Sequence, residues 1–278
     1  MTQPAPHQPP SPPTVRLIGV PTDSHSSFLR GAASAPPLIR AALRSEHSNM
    51  AAENGLELGT DILLQDEGDL PLREDAGDFD LIREAAASAA RAGAVPILLG
   101  GDHAISFPAV EGIFAAHGPL DILHFDAHSD LYDDFEGDPH SHASPFARIM
   151  ERGLARRLVQ VGIRTLNRHL REQAKRFGVE TVEMRDFAPE RVPIPAGPLY
   201  ISIDLDAFDP AFAPGVSHHE PGGLSVRDVL AVLRRVAAPI VGADIVEYNP
   251  GRDLSGVTAI LAAKLVKEVA SLTSGRPA

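Results

Sequence analysis

Three times along this chain a short apolar run ends in acidic and imidazole side chains, and this recurrence limits the fold more tightly than any other feature. AVPILLGGDHAISFP carries His103 just past its run. DILHFDAHSDLYD, from Asp121 to Asp133, carries Asp126, His128 and Asp130 at alternate positions, and LYISIDLDAFDP carries Asp204 and Asp206 in the same spacing. Side chains two apart in an extended segment point the same way, so each set can reach one point in space. The apolar runs have the length of buried strands, and open parallel α/β sheets place ligands beyond the carboxyl ends of such strands. Four carboxylates could not share a pocket unless cations balanced them. Two divalent cations would do so, and His103 and His128 complete a mixed oxygen and nitrogen donor set suited to Mn²⁺, Fe²⁺, Co²⁺, Ni²⁺ or Zn²⁺. Thiolate ligation is excluded because the chain has no Cys.

The chain has 278 residues, 44% of them hydrophobic, which suffices for one large domain over 14–278 with a well-buried core. Residues 1–13, MTQPAPHQPPSPP, offer almost nothing to bury and read as a disordered Pro-rich tail. A net charge of -12 argues against a nucleic-acid partner and mildly favours a cationic substrate. No apolar run approaches a membrane span, so no membrane is expected as a partner. Lacking the basic and apolar regions of a signal peptide, the N-terminal sequence is expected to leave the protein in the cytoplasm. From Val15 onward strand patterns alternate with helix patterns: VRLIGVP before LIRAALRSE, an Ala-rich helix from Phe79 before AVPILL, and RLVQVGIRTL before LREQAKRFG. Such alternation predicts a three-layer α/β/α sandwich with a mostly parallel central sheet.

GGDHAISFP, DAHSD and SIDLDAFDPAFAPG resemble the signature segments of the ureohydrolases, the family of arginase, agmatinase, guanidinobutyrase and formiminoglutamase. The likeness extends from about Ile18 into the C-terminal helix. It implies a dimanganese hydrolase of the arginase-like fold, with two Mn²⁺ per subunit, acting on a small guanidino substrate. By the matching motifs, His103, Asp126, Asp130 and Asp204 would bind one metal. Asp126, His128, Asp204 and Asp206 would bind the other, so that Asp126 and Asp204 bridge. SHASPF is similar to a family loop that places His142 on a proton-shuttling histidine, with His140 as its neighbouring competitor. DIVEYNP matches a segment that puts Glu247 on the carboxylate gripping the substrate guanidinium, which a planar cation can meet in bidentate fashion. The implied reaction is attack on the guanidinium carbon by a water that the cations acidify, with Asp130 stabilising the tetrahedral species and passing the proton onward. His142 would then serve the departing amine.

Where arginases hold the amino-acid head of arginine, this chain reads Tyr132, Thr165 and Asn167. Agmatine, cleaved to putrescine and urea, is therefore expected ahead of arginine, with guanidinobutyrase or formiminoglutamase chemistry as alternatives on the same site. VSHHE, from Val216, departs from the family's usual loop and makes His218, His219 and Glu220 candidates for the pocket rim. Two other classes are weighed. Zinc deacetylases share a similar sheet but use one metal, and a non-enzymatic partner-binding relative would be expected to have lost ligands; all six are present here. Homo-oligomers of three or six subunits are common in the family and expected for this chain.

Overall fold

A computed structural model of the chain describes residues 11–46 and 48–275. The greater part of the expected tail, residues 1–10, lies outside them. Within them Pro13 is tied in, its carbonyl accepting from the Leu63 N–H at 2.9 Å.

Eight strands form one sheet: β1 (Thr14–Val20), β2 (Leu63–Asp69), β3 (Val95–Gly100), β4 (Leu120–Phe125), β5 (Ala155–Ile163), β6 (Glu180–Glu183), β7 (Leu199–Asp204) and β8 (Ile240–Val246). Their order across the sheet is β2-β1-β3-β8-β7-β4-β5-β6, and every pairing is parallel. The inner strands β3, β4, β7 and β8 read VPILLG, LDILHF, LYISID and IVGADIV, apolar at nearly every position because helices cover both faces. Edge strand β2 alternates exposed and half-buried residues. Along the inner strands successive residues enter opposite layers. Ile97 and Leu99 join the core beneath α1 (Ala35–Leu43), α6 (Val226–Leu233) and α7 (Val257–Leu272). Leu98 joins the one beneath α2 (Asp78–Arg91), α3 (Ser106–His117), α4 (Pro145–Glu151) and α5 (Arg168–Phe177). The result is the α/β/α sandwich expected from the alternating patterns.

The central four strands in space, β3-β8-β7-β4, come from distant parts of the sequence, and their carboxyl ends lie side by side. Gly101 marks where two of these ends, those of β3 and β8, meet β1. Its N–H donates to Val20 and its carbonyl accepts from Glu247, while the next residue, Asp102, donates to the Thr22 carbonyl. A Cβ on Gly101 would stand 1.5 Å from that carbonyl oxygen, so only glycine admits the close approach.

Candidate metal centre and substrate cavity

All six expected metal-ligand candidates lie at these strand ends. His103 begins the turn after β3, Asp126 and His128 follow β4, Asp204 ends β7 and Asp206 sits one short turn beyond it. Nδ1 of His103 faces three carboxylate oxygens: Asp126 at 3.2 Å, Asp130 at 3.0 Å and Asp204 at 3.2 Å. Nδ1 of His128 lies 3.4 Å from the other oxygen of Asp126 and 3.1 Å from Asp206. Asp126 thus turns one oxygen to each imidazole and stands between the two groups. The remaining oxygens are used locally: Asp204 accepts from the Asp206 N–H and Asp206 from the Ala127 N–H.

Proton assignment around His103 reveals what this arrangement needs. Asp244 is wholly buried and takes the hydroxyl protons of Ser106, Tyr200 and Ser202, each at 2.6 Å. With its proton committed to Asp244, Ser202 can only accept from His103 Nε2, 2.8 Å away. A neutral ring has one donor and one acceptor nitrogen, so Nδ1 is left with its lone pair aimed at three carboxylates. That buried Nδ1 makes no hydrogen bond. Only a positive charge between them satisfies the geometry: a proton or a metal cation. Burial alone would lower the pKa of His103, yet Asp126, Asp130 and Asp204 hold it well above the ordinary imidazole value. The same carboxylates crowd one another. Burial, then Asp206 and Asp126, push Asp204 well above the usual carboxylate range. Burial also works against the charge on Asp126, but His103, His124 and His128 pull it far below that range. A site that competes this strongly for protons fits divalent cations.

His124 was not among the sequence candidates, although it occupies the alternate position before Asp126 in LHFDAH. It belongs to the group of ligand-capable atoms around Asp126, but both its nitrogens are committed. Gln160 donates to Nδ1 at 3.1 Å, and Nε2–H donates to Asp126 Oδ2 at 2.8 Å. Its ring stacks on Phe146 with centroids 4.0 Å apart. His124 therefore fixes the direction of the Asp126 carboxylate.

Above the carboxylates opens a cavity of about 300 Å³, lined by Ser27, Asp130, Tyr132, His142, Thr165, His218, Glu220 and Glu247 among others; carboxylates and imidazoles line it, with neither lysine nor arginine among the described residues. His142 and Glu247 meet there, Nδ1 to Oε1 at 2.8 Å, and the same oxygen accepts from the His103 N–H. His140 lies instead in a neighbouring cleft with His25 and Phe79. Of the rim candidates, His218 and Glu220 line the cavity, while the exposed His219 bonds the Pro214 carbonyl. Asp130 and Glu247 both have left-handed backbones, with φ of 49° and 64°. Such angles strain a residue with a side chain and concentrate where function fixes a side chain's direction.

The sequence matches the family model described as "Arginase family" over residues 13–271. The chain belongs to the arginase family. Like other arginase-family proteins it is an enzyme, a hydrolase of the ureohydrolase type. It is 52% identical over 275 residues to arginase 1, mitochondrial, of Arabidopsis thaliana, a match covering 93% of this chain and 80% of that protein. Identity to the guanidino acid hydrolase, mitochondrial, of Homo sapiens is 35% over 282 residues, covering 91% and 76%. The structure of an arginase from Medicago truncatula superposes with a TM-score of 0.88 at 46% identity, covering 94% of this chain and 87% of that one.

Proposed function

We propose that this arginase-family enzyme hydrolyses the guanidinium group of L-arginine, releasing urea and ornithine. The observation that carries the reaction is the His103 lone pair facing three carboxylates on the floor of an acidic cavity. His103, Asp126, Asp130 and Asp204 would hold one Mn²⁺, and Asp126, His128, Asp204 and Asp206 the other. When bound, these cations supply an acidified water and a positive field for charge developing on the attacked carbon.

The chain's own groups do the rest. Glu247 offers Oε2 to the guanidinium while Oε1 is held by His142 and the His103 N–H. Asp130 accepts the proton released as water adds. His142 serves the departing amine, and Glu247 keeps a proton available on it: burial would lower the pKa of His142, but Glu247 raises it to about 9.

Arginine as substrate is supported by the arginases named above, similar over more than nine-tenths of this chain, and by the rim. Asn167 Nδ2 donates to the Tyr132 hydroxyl at 2.7 Å, which frees the phenol proton to meet a carboxylate. Agmatine, the expectation from the loop residues, is the second reading, favoured by a lining that includes neither lysine nor arginine among the described residues. The test is urea release by Mn²⁺-loaded protein from L-arginine, agmatine and 4-guanidinobutyrate. Arginine turnover well above agmatine supports the first reading, the reverse order supports the second, and no urea from any of the three removes both. We place the enzyme in the cytoplasm as a homo-oligomer; fractionation and light scattering check these points.

A further inference from the structure

Both ring nitrogens of His142 are occupied. Nδ1 lies on Glu247, and Nε2 lies 3.2 Å from the backbone nitrogen of Ser27 and 2.8 Å from its hydroxyl. A backbone N–H can only donate, so in the neutral ring Nε2 accepts and Nδ1 carries the proton to Glu247. His142 is buried, Ser27 is exposed, and both line the cavity. The segment carrying Ser27 is fixed from two sides: the His25 carbonyl accepts from the His142 N–H, and Asp102 accepts from the His25 N–H.

A shuttle must exchange its proton with water, and of the two Ser27 groups at Nε2 the hydroxyl is the one that can both give and take a proton. We propose that Ser27 is the outlet through which His142 exchanges protons with solvent. A proton arriving from water at Ser27 Oγ displaces the hydroxyl's own proton to Nε2. The imidazolium so formed gives one proton from Nδ1 toward Glu247 and the departing amine. One proton enters from water and one leaves on the amine, which leaves the ring with its proton on Nε2; the Nδ1–H tautomer is restored when Nδ1 takes a proton from the cavity and Nε2 gives its own back through Ser27 Oγ to water. The hydroxyl suits both halves of the cycle because it rotates between donor and acceptor, whereas the neighbouring N–H opposes a protonated Nε2. The groups facing His142 are Glu247, Asp102 and Asp130, which favour its proton, and His218, which opposes it.

This inference rests on the proposed role of His142 and is tested through it. Ser27→Ala should lower kcat for urea release about tenfold to a hundredfold, less than the roughly hundredfold to ten-thousandfold that a direct proton-transfer group contributes because His142 is kept, with KM and bound metal unchanged. The alkaline limb of kcat should move down by about one pH unit, because the imidazolium loses an acceptor. Ser27→Thr, which keeps a hydroxyl, should restore both. In a His142→Ala background Ser27→Ala should add nothing. An unchanged kcat and pH profile in Ser27→Ala, or an equal further loss in the His142→Ala background, would overturn it. Should the wild type release no urea, the reading of function fails on its own. The inference is then decided by the imidazole ¹⁵N shifts of His142 in Zn²⁺-loaded protein, which must change in Ser27→Ala and revert in Ser27→Thr.

Discussion

Asp126 shows how much one side chain can carry in this site. One of its oxygens faces His103 and the other His128, and His124 holds its plane. Asp126→Ala and Asp204→Ala should each abolish urea release and most bound metal, whereas Glu247→Ala should lower kcat at least about a thousandfold with metal retained. Metal analysis beside kinetics separates the two classes, and normal turnover in any variant would refute that residue's role. His124→Ala should weaken metal affinity about tenfold to a hundredfold while the fold persists, the usual cost of losing a group that orients a ligand. Titrating metal into the variant checks this. The six candidate ligands were legible as a group because their chemistry repeats at strand ends. His124 was not, because a histidine inside an apolar run looks like one more buried ring, and its N–H to Asp126 exists only once the strand is paired with β5.

At the scale of elements, the site depends on four strand ends being brought together, and Gly101 is where that assembly is tightest. Gly101→Ala would drive a methyl group into the Thr22 carbonyl and separate β3 from the segment carrying Ser27. It should cost about 3 kcal/mol or more, seen in urea denaturation, and should lower activity in whatever protein remains folded. A stability equal to wild type would mean the strand ends tolerate more space than their contacts allow. Helices and strands were readable from periodicity because burial on both faces leaves a plain apolar pattern. The loops were less so. That His142 rather than His140 enters the cavity, and His218 and Glu220 rather than His219 reach the rim, follows from contacts with loops more than a hundred residues away in sequence, such as His142 on His25 and Ser217 on Leu29. Asn167 illustrates the same point. It caps α5 through Leu170 and holds Tyr132, so its position near the rim serves structure first.

For the whole molecule, the acidic and imidazole groups at the strand ends make folding, metal and pH interdependent. His103 and His128 have raised pKa values because burial, which lowers them, is outweighed by the carboxylates around them. Protons and cations therefore compete for one place: metal uptake should release protons, and apparent affinity should fall as pH falls. Calorimetry in buffers of different ionisation enthalpy checks the proton release, and pH-independent affinity would contradict it. Chelation should lower the thermal midpoint, since cations at a thousand times their Kd stabilise the folded state by about 4 kcal/mol. The most direct test of the account is an anomalous-difference map from crystals of the Mn²⁺-loaded protein. Two peaks are expected, one against His103 Nδ1 and one against His128 Nδ1, with Asp126 and Asp204 reaching both. A single peak, or peaks away from these strand ends, would contradict the two-metal centre on which the proposed reaction rests.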